Sequence, residues 1–267
     1  MMLSEDKTFP LLSIITVCRN DAIRLKKTID SLSHFYNDPR FEHVVMDGES
    51  TDGTDLLIAP LMHKINFKYY SEQDSGIYDA MNHGVSYSLA PLLLFLNCGD
   101  TIVINPTELL ACLSQLIDAD GSVDQDITCF PVLQVGAKGS RTVVPTRLTT
   151  NKIPASHQGM VIARRFVQLN KYNTSYKIAG DFDLYLRATR TVIFADSASK
   201  PLVAVEVDGF ASANPVMAYS EYLKIAFLRL NGRSRIVAMV LIGVRALCVV
   251  SAKTIFPKRW IMVLRGA

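Results

Sequence analysis

The chain has 267 residues, a net charge of +3 at neutral pH, 49% hydrophobic residues and 20% charged residues. This length suits one large α/β domain with room for an appendage. The apolar content excludes a disordered chain, and the small positive charge gives no case for a nucleic-acid partner. Five cysteines, at 18, 98, 112, 129 and 248, show neither paired metal spacing nor an even disulfide framework. That pattern predicts free thiols in a reducing compartment. Glu5, Asp6 and Lys7 precede any apolar run, so no secretory signal is expected and the catalytic part is expected in the cytoplasm.

In chain order, residues 11–17 read as a strand that ends in Cys18-Arg19-Asn20-Asp21, and 22–35 as a helix with Asp21 as its N-cap. Residues 41–46 form the second strand, running into Asp47-Gly48-Glu49-Ser50-Thr51-Asp52-Gly53-Thr54, with a short helix over 55–64. Residues 67–71 form the third strand, ending in Glu72-Gln73-Asp74-Ser75-Gly76 before a helix over 77–88. The fourth, Leu92-Leu93-Leu94-Phe95-Leu96, is wholly apolar and stops at Asn97-Cys98-Gly99-Asp100. Strands alternating with helices predict a parallel sheet, and such sheets bind ligands outside the carboxyl ends of their strands. Asp47, Asp74 and Asp100 each follow an apolar strand and so fall on that edge. Each has a plainer reading. Asp47 and Asp52 sit in good turn sequences, and Asp100 could cap a helix that starts near Pro106.

There is no G-x-G-x-x-G and no P-loop. Edge carboxylates instead suit a base held by hydrogen bonds and a diphosphate held through Mg²⁺ or Mn²⁺, which favour oxygen ligands. Further on, 108–117 reads as a helix, 127–135 and 141–145 as a strand pair, and 160–163 as a short strand just after Ser156-His157-Gln158-Gly159. His157 is either a hydrogen-bonded structural histidine or a contact to donor phosphate or acceptor. Asp181 and Asp183 open an apolar helix, where the dipole favours a carboxylate. Two acids two residues apart face different ways on a helix, so one is expected in chemistry and the other in structure.

Several of these stretches together resemble the family-2 glycosyltransferases, which have a GT-A fold and invert the anomeric centre. The matching pieces are Ser13-Ile14-Ile15-Thr16-Val17, Val45-Met46-Asp47-Gly48-Glu49-Ser50-Thr51-Asp52-Gly53-Thr54, Ser71-Glu72-Gln73-Asp74-Ser75-Gly76-Ile77-Tyr78-Asp79-Ala80-Met81-Asn82-His83-Gly84, Leu96-Asn97-Cys98-Gly99-Asp100, Ser156-His157-Gln158 and Ala179-Gly180-Asp181-Phe182-Asp183-Leu184. They span roughly residues 11–210, and the order of the set makes the resemblance specific. Within the family the chain looks most like bacterial exopolysaccharide, O-antigen and colanic acid enzymes.

The resemblance implies roles. Asp47 matches the acid that bonds the nucleotide base; Thr16 and Arg19 lie where the first loop lines the nucleoside; Asp74 and Asp79 match acids beside ribose and diphosphate. Asp100 matches the last acid of the metal motif, whose first acid is replaced here by Asn97 or Gly99. Asp181 matches the general base, with Gly180 where Glu is common. The implied partners are a nucleotide-sugar donor, a polyprenyl-diphosphate-linked saccharide acceptor and the inner-membrane surface. The alternatives are a non-catalytic nucleotide-binding scaffold subunit and a nucleotidyltransferase.

The expected organisation is a GT-A domain, α/β with a mainly parallel sheet flanked by helices, over 1–212, and a helical membrane-associating region over 213–267. Residues 215–230 read as a helix. Residues 236–252 are almost wholly apolar apart from Arg245 and Ser251, short of the roughly 20 residues that span a bilayer. Arg229, Arg233 and Arg235 precede this run, and Lys253, Lys258, Arg259 and Trp260 follow it. That composition suggests an interfacial anchor on the cytoplasmic leaflet; the other reading is a core or dimer-forming helix.

Overall fold

In the computed structural model, residues 10–136, 139–146, 149–193, 200–206 and 213–255 are described. A seven-stranded sheet has the order β10-β6-β9-β4-β1-β2-β3. Its parallel half is β4 (Leu92–Phe95), β1 (Leu12–Cys18), β2 (Phe41–Asp47) and β3 (Phe67–Ser71). β9 (Met160–Ala163) runs antiparallel to both β4 and β6 (Ile127–Cys129), and β10 (Thr191–Ile193) is parallel to β6. The sheet is therefore mixed, with one reversed strand in its middle.

β1, β2 and β4 are near-continuous apolar runs because helices cover both faces of the sheet. All four residues of β4 are buried, and each contributes about 2 kcal/mol of transfer free energy. The flanking helices are α1 (Ala22–Ser31), α2 (Thr54–Ile58), α3 (Ile77–Tyr87), α4 (Pro106–Leu113), α5 (Arg164–Leu169) and α6 (Gly180–Arg187).

Local details differ from the expectations. Asp21 stands at the N-cap of α1 but makes no capping bond; Asp52, from the loop after β2, accepts the Ala22 N–H at 2.8 Å instead. Asn105, not Asp100, caps α4, accepting the Glu108 N–H at 2.9 Å. The run 127–135 is two strands in two sheets. Pro131, which has no N–H, interrupts it, and Phe130 turns to donate to the Gly159 carbonyl at 2.7 Å. The chain then enters a second sheet of order β5-β11-β7-β8, made of β5 (Thr101–Ile102), β7 (Val132–Gly136), β8 (Gly139–Val143) and β11 (Val203–Glu206). All five cysteines are free.

Two helices close the described chain: α7 (Pro215–Arg229) and α8 (Gly232–Ile255). α7 packs on α6, with the Tyr222 ring edge-on to Phe182 at 5.1 Å. α8 is longer than the apolar run suggested, because its first turn begins before that run. Over residues 232–251 it is long and apolar enough to cross a membrane, with a mean hydropathy of 1.9. Ala238 and Ile242 are buried, whereas Ile236, Val237, Val240, Leu241, Val244 and Leu247 are exposed. At 100° per residue five of these fall on the side opposite the buried pair, and Leu241 falls on its flank. Lys258, Arg259 and Trp260, named above as flanks, lie outside the described residues, as does Phe210.

Candidate active site

The carboxyl ends of β1 and β2 carry two loops that are zipped together. Asn20 accepts the Thr51 N–H at 2.8 Å through Oδ1 and donates its own N–H to Ser50 Oγ at 2.7 Å. Asn20 and Glu49 both have left-handed backbones, φ 51° and 58°, the kind of strain that collects at functional loops. Gly48 lies where the loops meet the one after β3: a Cβ there would stand 2.7 Å from Asp74 Oδ2 and 3.2 Å from Arg19 Cδ. Arg19, Gly48 and Asp74 are thus brought together.

Asp47 is buried and its carboxylate is heavily engaged. Oδ2 accepts from the Ser50 N–H, the Tyr69 hydroxyl and the Ser71 hydroxyl, each at 3.0 Å, and Oδ1 accepts from the Ser50 hydroxyl. Asp79 holds the start of α3, accepting the Ser75 N–H at 3.0 Å and the Ser75 hydroxyl at 2.8 Å; those bonds keep its carboxyl below the usual range. Thr16 is a correction. Its side chain is fully buried and points into the core, where Oγ1 is 3.0 Å from His43 Nε2, and His43 Nδ1 is 2.9 Å from the Tyr36 hydroxyl. Strand alternation turns residue 16 away from the nucleoside loop.

Asp100 closes the turn after β4. Its N–H donates to the Asn97 carbonyl at 3.1 Å, and Gly99 takes φ +92° in between, the geometry of a type II turn. The Gln158 amide donates to Asp100 Oδ2 at 2.7 Å, and the Ser156 hydroxyl bonds Gln158 Oε1 in turn. Burial lifts the Asp100 carboxyl above its ordinary value, opposed by the Gln158 bond and by His157.

His157 and Gln158 share one 3-10 turn, His157–Gly159. Through it the structure brings three sequence-predicted residues together. Gln158 holds Asp100, while His157 stands between Asn97, 3.0 Å from Nε2, and Asp181, 3.8 Å from Nδ1. The amide orientation and the imidazole tautomer are set together. With Asn97 Nδ2 donating, Nε2 accepts, and the ring proton sits on Nδ1 toward Asp181. Burial pushes the His157 pKa down, so the ring is neutral at pH 7.

Asp181 and Asp183 face different surroundings, as their spacing predicts. Asp183 is fully buried and clasped by Arg229 Nε at 2.7 Å and Arg187 Nη2 at 3.0 Å. Asp181 keeps 12% of its side chain exposed and accepts the Phe182 N–H at 2.9 Å. Burial pushes its carboxyl up to about 6, a poise suited to a proton acceptor near neutral pH. Gly180 is required by space: a Cβ there would lie 2.7 Å from the Tyr78 ring. Tyr78, Gln158 and Glu221 all support this site without having been singled out in the sequence. Gln158 lay in a quoted motif, whereas nothing local marks Glu221.

A divalent cation can be tested against this donor set. Asn97 Oδ1 is buried without a hydrogen-bond partner, and Asp100 offers a carboxylate whose burial lacks a full counter-charge. Two hard oxygens suit Mg²⁺ or Mn²⁺. Among the described residues no group of three or more His, Cys, Asp or Glu could hold a metal. The residues therefore fit a cation that brings its remaining ligands with a phosphate-bearing substrate.

Comparison with known proteins narrows the reading. Residues 13–123 match the family model Glycosyl transferase family 2. Asp47, Asp74, Asp79 and Asp100 lie inside that stretch, and His157 and Asp181 beyond it. The chain is similar to an uncharacterized glycosyltransferase of Mycobacterium tuberculosis, with 29% identity over 184 residues, 67% of this chain and 69% of the relative. It is also similar to a PGL/p-HBAD biosynthesis glycosyltransferase of Mycobacterium bovis, with 29% identity over 182 residues and the same shares. Among solved structures it resembles S. aureus TarS 1-349 in complex with UDP-GlcNAc, with TM-score 0.65 and 18% identity, over 89% of this chain and 73% of that one. It also resembles the mannosyltransferase PcManGT from Pyrobaculum calidifontis in complex with GDP-Man and Mn²⁺, with TM-score 0.61 and 13% identity, over 97% and 79%. The fold is accordingly α/β of the GT-A kind, with a mixed sheet flanked by helices.

Proposed function

We propose that the chain is an inverting glycosyltransferase that moves a sugar from a nucleotide-sugar donor to a hydroxyl of a lipid-linked saccharide acceptor in bacterial surface polysaccharide synthesis. The observation that carries this reading is the His157–Gln158 turn, which bonds a buried carboxylate at the sheet edge, Asp100, and stands beside Asp181, a mostly buried carboxylate of raised pKa. The family match over 13–123 supports it. In this reading Arg19 and Asp74 flank the nucleoside diphosphate, and Asp47, expected from the resemblance to bond the base, instead spends its carboxylate on Ser50, Tyr69 and Ser71 and holds the loop that presents it.

Asp181 takes the proton from the acceptor hydroxyl. Its carboxylate is ionised at pH 7 and more basic than an exposed Asp, which favours transfer. The neutral His157 ring faces that carboxylate, with Nδ1 3.8 Å from it. Attack on the face opposite the departing diphosphate gives inversion in one displacement, through a transition state with positive charge on the sugar. Asp100 and Asn97 would hold Mg²⁺ or Mn²⁺, which offsets the charge growing on the leaving diphosphate.

The domain assignment is that residues 1–212 bind donor and cation, and that residues 213–267 meet the cytoplasmic face of the inner membrane through the exposed apolar side of α8. A thermal-shift screen of UDP-, GDP- and dTDP-sugars, with and without Mn²⁺, tests the donor reading. One nucleotide sugar should raise the melting temperature, and more so with Mn²⁺. No response to any of them would overturn the donor assignment, and response without turnover would favour a scaffold subunit.

A further inference from the structure

α7 lies outside the stretch that matches the family model, yet it touches the turn that carries Asp181. Glu221 Oε1 accepts the Lys177 N–H at 2.8 Å, and Oε2 accepts the Ile178 and Ala179 N–H groups, both at 2.9 Å. These are three consecutive backbone donors at the entry to α6, a place where N–H groups have no partner within the helix. Successive N–H groups converging on one point form a cup for an anion. Here a side chain more than 40 residues downstream fills it.

The same segment is held from the other side. The Tyr78 hydroxyl of α3 donates to the Ile178 carbonyl at 2.6 Å, and its ring lies against Gly180. Residues 177–180 are thus pinned through their N–H groups by α7 and through a carbonyl by α3, and Asp181 is the next residue. Arg229, two turns further along α7, clasps Asp183 at 2.7 Å. One helix therefore fixes both sides of the Asp181 backbone.

We propose that Glu221 is a positioning residue for the Asp181 base, which makes α7 a built-in wall of the active site. This rests on Asp181 acting as base in the proposed transfer. A misplacement of about 1 Å at a reacting group costs roughly 100-fold in rate, and a Glu221 that releases three N–H groups permits motion on that scale. Glu221→Gln is the sharpest perturbation, since the amide keeps one acceptor oxygen and turns an N–H₂ toward backbone donors. Asp181 is also within electrostatic reach of His157 from the 3-10 turn, Tyr78 from α3, Tyr172 from the loop after α5, and Tyr222 and Glu221 from α7. Of these, Glu221 is the neighbour whose charge raises the Asp181 pKa.

The test is steady-state transfer by the full chain, using the donor that the wild type prefers, across pH 5–9. In Glu221→Gln, kcat should fall by about 10-fold or more with the donor KM within about 2-fold, the signature of a loss felt in the transition state. The acid limb of kcat should move to lower pH, because the Glu221 charge that raises the Asp181 pKa is gone, and Glu221→Asp, which keeps that charge, should leave the limb in place. If the Gln variant does not fold, Glu221→Asp keeps the charge and shortens the reach by one methylene. Its kcat should then drop with the acid limb in place. A folded Gln variant with wild-type kcat and an unmoved acid limb, or a folded Asp variant with wild-type kcat, overturns the inference and leaves the transfer reading standing. A wild type that transfers nothing from any donor overturns both.

Discussion

Asp181→Asn should separate stability from chemistry. Burial raises the Asp181 carboxyl from its ordinary 3.8 to about 6, so the folded chain binds this proton more tightly than the unfolded chain does. The ionised carboxylate therefore destabilises the fold. The penalty is absent below about pH 4, grows between about 4 and 6, and is complete above that. At roughly 1.4 kcal/mol per pH unit it amounts to about 3 kcal/mol. The side chain is only 12% exposed, so little of it is lost to solvent screening. Asparagine is isosteric, keeps an oxygen for the Phe182 N–H, and has no charge to desolvate. Asp181→Asn should then be more stable than the parent by about 1–3 kcal/mol at pH 7.5, or roughly 3–10 °C in melting temperature for a chain of this size, while transfer falls below detection. Denaturant unfolding at half-unit steps from pH 4 to 8 measures it, without nucleotide or metal. The gain should shrink toward zero as pH falls from 6 to 4. A variant that is no more stable than the parent at pH 7.5, or a gain independent of pH, would refute the placing of this carboxylate as a buried, raised-pKa base.

Other changes test neighbouring parts of the structure. Thr16→Val should cost about 1–2 kcal/mol, because His43 Nε2 loses its buried partner, and should leave the donor KM unchanged; a large KM rise would return Thr16 to the nucleoside pocket. Asp183→Ala should cost about 3 kcal/mol in chemical denaturation by stranding Arg187 and Arg229, the low end for a broken buried pair because Arg229 is partly exposed. A loss under about 1 kcal/mol would show that the α6–α7 tie is loose. Gly180→Ala should lower the melting temperature by an amount equal to about 1–3 kcal/mol, since the new methyl meets the Tyr78 ring; an unchanged melting curve would mean that the ring moves freely.

The sequence alone determined the parallel half of the sheet. The apolar runs at 12–18, 41–47 and 92–95 can be buried only between two layers of helix, and the abrupt polar turns after them mark the sheet edge. It also set Asp181 and Asp183 apart, because a helix turns them to different faces. What it could not decide is what each polar group meets. Thr16 sits in a resembling motif, but the pleat sends its hydroxyl into the core to His43. Asp100 and Asp181, 81 positions apart, become one site only because β9 runs backwards beside β4 and sets the His157–Gly159 turn between them. The glycine at 180 looks like a lost acid in one dimension; in three it is the space that the Tyr78 ring occupies. Glu221 has no local signal at all. Its role exists only because α7 folds back onto the entry to α6, and contacts between segments so far apart in sequence are fixed by packing rather than by any pattern within either segment.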